Sequence, residues 1–225
     1  MTDETITKLT AQATELHFAE NLPVEISGFA TKKIFAADGD KFIFFTCTND
    51  ELHCALTTYF HEETSEFKVA QRIGLTEFCL TNFFTEDFAA FQKLIDAELE
   101  HALKNLRDVR NKNFNRFLRE KKLDAWTYGK NLPATLEGFE LFISPEKPVE
   151  VTNGSFIIVN YVDFAAGSDF VLYYNIYGDV FSAESRIKGT SQVSYAFEST
   201  TLPALEESLK QNLSDELKHI RSQSQ

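Results

Sequence analysis

Basic charge is scarce in this sequence. Lys and Arg number 22 against 34 Asp and Glu, for a formal net charge of −12. Nucleic-acid binding rests on neutralising phosphates, so that balance excludes nucleic acid as a partner, and an anionic membrane surface with it. Glycine is scarce too, with nine copies. None falls in the G-x-G-x-x-G or G-x-x-x-x-G-K-[ST] spacing that cradles phosphates. The nucleophile elbow of hydrolases, the H-E-x-x-H of zinc proteases and the kinase signatures are missing together, which leans away from an enzyme. The three cysteines, Cys47, Cys54 and Cys79, are an odd number and a poor basis for disulfides, as befits a reducing compartment. No uncharged apolar run reaches the ~18 residues of a membrane span. The opening Met1-Thr2-Asp3-Glu4-Thr5 has neither the basic nor the apolar region of a secretion signal. These absences predict a cytoplasmic chain with no cofactor, no metal and no membrane partner.

Phenylalanine is abundant, at 22 copies, while hydrophobic residues make up 43% and charged residues 25% of 225. That composition buries a core, and its aromatic bias favours sheets. The chain also matches itself. Glu20-Asn21-Leu22-Pro23-Val24-Glu25-Ile26-Ser27-Gly28-Phe29 returns as Lys130-Asn131-Leu132-Pro133-Ala134-Thr135-Leu136-Glu137-Gly138-Phe139. Leu16 and Phe18 stand before the first copy as Trp126 and Tyr128 stand before the second. Glu98-Leu99-Glu100-His101 resembles Glu216-Leu217-Lys218-His219, which sets His101 and His219 at matching positions. Pro ends the preceding helix and Gly permits a turn, so the motif reads as a helix exit and a first strand.

Helical spacing covers residues 4–19 and 86–108, the latter with Phe88, Phe91, Ile95, Leu99, Ala102 and Leu106 on one face and Thr85 as N-cap. A shorter helix is expected near 114–128, after a break at Asn111-Lys112-Asn113. A final helix carries Leu202, Leu205, Leu209, Leu213, Leu217 and Ile220. Two-residue alternation marks strands over 41–48, 52–61, 66–73 and 77–84, then near 135–143, 148–152, 155–163, 169–177, 180–187 and 192–198. The expected fold is α+β: two tandem copies of a helix–antiparallel β-meander–helix unit, over residues 1–110 and 111–225, with helices on one face of each sheet.

A turn centred on Asp50 and Glu51 sets Cys47 directly opposite Cys54, but the spacing lacks the four ligands of a structural zinc site. Asp38-Gly39-Asp40 and His61-Glu62-Glu63 read as hairpin tips. Residues 104–122 hold eight basic side chains against two acidic ones. Arg107, Arg110 and Arg116 would therefore read an anionic small molecule between the halves, by bidentate contacts. In the second half, Phe170, Leu172, Tyr174 and Ile176 alternate with Val171, Tyr173 and Tyr177, and Phe156, Val159 and Tyr161 add further apolar bulk. A sheet with one helical layer needs one apolar face, so a second one calls for a cover. The leading expectation is a non-enzymatic, chaperone-like binding module that meets a protein partner, or a second copy as a homodimer, through Tyr161, Tyr173 and Tyr177.

Overall fold

The computed structural model describes residues 1–15, 21–111 and 114–224. Leu16, His17, Phe18, Glu20, Lys112 and Asn113 lie outside the described residues. The chain is a mixed α+β protein with two antiparallel sheets, of six and seven strands. It divides into two compact units, Met1–Asp108 and Val109–Gln225. Among the described residues no helix is long and apolar enough to cross a membrane.

The first unit opens with α1 (Asp3–Glu15) and runs through β1 (Glu25–Ile26), β2 (Phe29–Asp38), β3 (Lys41–Asn49), β4 (Cys54–His61), β5 (Glu66–Ile73) and β6 (Thr76–Cys79) to α2 (Phe88–Arg107). The strands pair in chain order as a meander. Aromatic rings carry much of its core: Phe67 lies 5.3 Å from Phe91 of α2 and 5.0 Å from Phe60. Phe91, Ile95, Leu99, Leu103 and Leu106 form the buried stripe of α2. Asp87 rather than Thr85 caps this helix, its Oδ1 accepting the Ala90 N–H at 2.7 Å. Thr85 is drawn off to pair its backbone with Phe67. At a register shift between Ile43 and Phe45 of β3, the buried Thr58 hydroxyl replaces the lost ladder bonds. It accepts the Phe45 N–H at 3.2 Å and donates to the Phe45 carbonyl at 3.0 Å, so both backbone groups of Phe45 are paired at the bulge.

The second unit begins with short helical pieces, including α3 (Arg116–Glu120) and α4 (Thr127–Lys130), where one helix was expected. Lys122 takes a left-handed conformation, φ 60°, and breaks it. Then come β7 (Thr135–Leu136), β8 (Phe139–Ile143), β9 (Val149–Glu150), β10 (Ser155–Asp163), β11 (Ser168–Asn175), β12 (Val180–Ile187), β13 (Thr190–Ser199) and α5 (Leu202–Ser224). The sheet order is β13-β12-β11-β10-β8-β7, with β9 on β10. Leu205, Leu209, Leu213, Leu217 and Ile220 of α5 close over Phe156, Val159, Tyr161, Phe170, Leu172 and Tyr174 of the strands.

The repeated Leu-Pro…Gly-Phe motif folds as a tight hairpin in each unit. Ser27 and Gly28 have φ of 52° and 88°, and Glu137 and Gly138 have 51° and 88°. Positive φ at both central residues gives the turn the twist that a two-residue hairpin needs. Gly138 meets a second demand, because a Cβ there would lie 1.8 Å from Nη1 of Arg221, which donates to the Glu137 carbonyl.

Candidate functional site

Cross-strand register sorts the second sheet into two faces. Phe170, Leu172 and Tyr174 sit beside Ser185, Ala183 and Phe181 and face α5. The opposite face has three rows. Val162, Asp169, Arg186 and Ser191 make one; Asn160, Val171, Glu184 and Val193 make the next; Ile157, Tyr173 and Ser182 make the third. Along the first two rows burial falls toward β13. Val162, Asp169 and Val171 are fully buried, while Val193 is 57% and Tyr195 77% exposed.

The expected surface tyrosines divide accordingly. Tyr173 is half-buried on the open rows. Tyr177 is exposed, but it stands past the end of β11, its ring against Gly154. Tyr161 must be corrected. It is fully buried in the α5-covered core, where its hydroxyl donates to the Pro133 carbonyl at 2.7 Å. Simple alternation sets residues 157, 159 and 161 on one side. A register shift between Ile157 and Val159 turns Val159 and Tyr161 to the other. Burial accordingly raises the Tyr161 phenol.

The rim ends on an open sheet edge, since among the described residues β13 pairs with β12 alone. Lys188 and Gly189 join these strands with φ of 48° and 84°, a two-residue turn whose flanks Ile187 and Thr190 exchange hydrogen bonds. Alternation along an antiparallel ladder then points the N–H and C=O groups of Ser191 and Val193 away from β12, up to the register shift that follows Ser194. Residues 190–197, Thr-Ser-Gln-Val-Ser-Tyr-Ala-Phe, carry no charge and no proline. Exposed edges are ordinarily blunted by such residues or by shortness. The corresponding end strand of the first unit, β6, has four residues, one of them Glu77. Val193 and Tyr195 were not legible as a site because edge position is a property of topology. The uncharged run after a hairpin turn was the available signal.

Behind the rim lies a buried ionic cluster that alternation alone did not single out. Arg186 Nη1 reaches Asp169 Oδ2 at 3.1 Å, and Asn160 Nδ2 donates to the same oxygen at 3.2 Å and to the Phe170 carbonyl at 3.1 Å. Asp169 Oδ1 is buried with no hydrogen-bond partner. Burial pushes the Asp169 carboxyl up to about 6, against the pull of Arg186 and Asn160.

A cleft of about 830 Å³ lies in the same unit between the α3–α4 segment and the start of α5. Lys121, Lys122, Trp126, Tyr128, Glu206 and Lys210 are among its walls. Trp126 donates its indole N–H to Glu206 at 3.2 Å, and Lys210 bonds Glu206 at 2.6 Å while lying 5.1 Å over the Tyr128 ring. Lys121 is held by Asp179 and the Thr200 carbonyl. Each of the three arginines expected to read an anion has a partner of its own. Arg107 pairs with Asp108, Arg110 stacks 4.5 Å over the Phe142 ring, and Arg116 pairs with Glu120 at 2.6 Å.

Asp40, His61 and Glu63 come together at two hairpin tips, their ligand atoms within 4.8 Å of one another. His61 Nε2 is 2.9 Å from Asp40 and its Nδ1 is 3.0 Å from the Thr64 hydroxyl, so both ring nitrogens already have partners. Cys47 and Cys54 are not opposite each other. The β3–β4 turn spans two residues more than expected, which sets Cys47 against Leu56 and Cys54 against Asn49. Both thiols are buried, and that of Cys54 donates to the Leu52 carbonyl at 3.4 Å. Burial pushes Cys47 up to about 12, which suits a core residue and not a nucleophile. Cys79 shares a 3.1 Å contact with the Tyr59 hydroxyl.

No protein-family model matches the chain, and neither does any curated protein or solved structure.

Proposed function

We propose that this chain is a non-enzymatic protein-binding module that takes up an extended segment along β13, on the rim formed by Tyr173, Val193 and Tyr195. One observation carries this: the first eight residues of a ten-residue edge strand hold no charge or proline to repel a partner, and they expose Val193 and Tyr195 where the outward backbone groups of Ser191 and Val193 stand. Strand addition needs this combination, with main-chain bonds for affinity and alternate side chains for selection. The net charge of −12 favours protein over nucleic acid as the partner. Val193→Pro tests the idea cleanly. It removes an N–H that points away from β12, a place where edge strands tolerate proline. A displayed library of unstructured peptides should enrich at least tenfold on the wild-type chain and not on the variant. Equal enrichment on both would sink the proposal.

The two units are best understood as copies of one helix–meander–helix ancestor. Their hairpins share φ values, and their sheets share strand order once β9 is set aside. The bulges at Ile43/Phe45 and Ile157/Val159 face Tyr59 and Tyr173 in the same register. The buried stripes of α2 and α5 have the same spacings. That succession aligns Leu99 with Leu213 and so His101 with Asp215. The Glu-Leu-x-His likeness is off by one helical turn, and the two histidines are not counterparts.

The cleft favours a second use, as a small-molecule site. Its volume lies in the range of such pockets, and Lys122 is exposed at its edge on a strained, left-handed backbone. Within a panel of anionic metabolites, at least one should raise the melting temperature of the wild-type chain by several degrees, and less so after Lys122→Glu. A flat panel rules this use out.

A further inference from the structure

Resting on the cleft beside α5 as a small-molecule site, we propose that its ligand is a short apolar peptide with free termini, the carboxylate read by Lys122 and the ammonium by Glu207. Six charged side chains line the cleft, three of each sign. Four of them are already matched. Glu120 pairs with Arg116 at 2.6 Å, Lys121 with Asp179, and Lys210 with Glu206 at 2.6 Å. Lys122 and Glu207 remain, both exposed, and neither has an ion-pair partner among the described residues. Glu207 accepts a hydrogen bond from the Gln211 amide, which leaves its charge uncompensated. An anion alone would be drawn to Lys122 and opposed by Glu207, and a cation alone the reverse. A ligand with one charge of each sign is complementary to both.

The two charges come from different walls. Lys122 belongs to the segment between α3 and α4, and Glu207 to the second turn of α5. The ligand's charges therefore belong at its two ends. An extended peptide of two or three residues spans roughly 7–11 Å, and a cleft of about 830 Å³ lies in the range that takes a molecule of that size. Trp126, Tyr128, Leu202 and Pro203 also line the cleft, so the side chains between the termini should be apolar. The walls are held in place. Gly129 lies directly on the indole of Trp126, where a Cβ would come within 2.3 Å of Cε3. The left-handed Lys122 is fixed on both sides, its N–H donating to the Arg119 carbonyl at 2.8 Å and its carbonyl accepting the Ala125 N–H at 3.2 Å. Strain of this kind, held by its surroundings, collects at ligand sites.

Titration calorimetry of the full chain separates the two charges. The probes are the dipeptide Phe-Leu and the tripeptide Phe-Ala-Leu, each also as its N-acetyl form and as its C-terminal amide. At least one free peptide should bind about fivefold tighter than either of its blocked forms, one partly exposed ion pair being lost in each. Glu207→Gln should abolish the advantage over the N-acetyl form and keep the advantage over the amide. Lys122→Gln should do the reverse, a crossed pattern that a general loss of fold cannot produce. Free peptides that bind no tighter than their blocked forms, or not at all, overturn the proposal. If anionic metabolites still raise the melting temperature through Lys122 in that case, the cleft is an anion site and only the ligand class is lost. If that panel is flat as well, the cleft is no small-molecule site.

Discussion

Arg186→Met should cost about 3–5 kcal/mol at pH 8, the usual penalty for stranding one partner of a buried pair. It should cost much less at pH 4. The carboxyl left behind is Asp169, fully buried and with one oxygen already unpartnered. Its folded-state value, up to about 6, stands above the ordinary 3.8 because burial outweighs Arg186 and Asn160. An acid raised in this way favours the fold while protonated. Its contribution is therefore present in full below about pH 4 and lost as the pH climbs through about 6. Without Arg186 the carboxyl rises further, so the loss extends to higher pH and deepens. Asp169→Asn removes the titration, and relative to the wild-type chain it should gain about 3 kcal/mol between pH 4 and pH 8. Glu62, beside the N-terminal ammonium, and Glu206, beside Lys210, are lowered instead. Their contributions run the opposite way and are lost as the pH falls. Comparing variants at each pH cancels them. Urea midpoints at pH 4, 6 and 8 decide the matter, and a penalty for Arg186→Met that does not change with pH would show that Asp169 does not titrate as described.

Such a cluster was not readable in advance, and the reason is physical. What the sequence carries well is local period. The stripe of α2 and the alternation of β11 and β12 follow directly from the spacing of apolar residues, and the meander follows from their turns. What it carries poorly is anything that changes phase. Glu137-Gly138 divides an apparent single strand into β7 and β8, Lys122 divides an apparent helix, and one extra residue at Ile158 reverses the faces of everything after it in β10. Long-range placement is hidden for a different reason. Trp126 and Glu206 share a cleft wall although 80 positions separate them, and Asp169 meets Asn160 and Arg186 only because three strands align. The last strand of a meander, moreover, becomes an edge only if nothing else pairs with it.

Tyr161 and Tyr195 bring that phase error to a measurable contrast. They are alike in chemistry, and both lie on strands of the same sheet. Tyr161→Ala should cost about 3–5 kcal/mol, since it empties a ring-sized volume in a core whose neighbours Phe170, Leu172 and Leu213 are already packed. It also strips the Pro133 carbonyl of its donor. Tyr161→Phe isolates that second part and should cost about 1 kcal/mol. Tyr195→Ala removes an exposed ring and should change stability by less than ~0.5 kcal/mol, while reducing association through β13. Guanidinium melts separate the two positions at once. Should Tyr161→Ala prove as mild as Tyr195→Ala, the register shift in β10 would be wrong, the tyrosine would belong on the open face, and the rim would reach one strand further into the sheet than β13, β12 and β11 carry it.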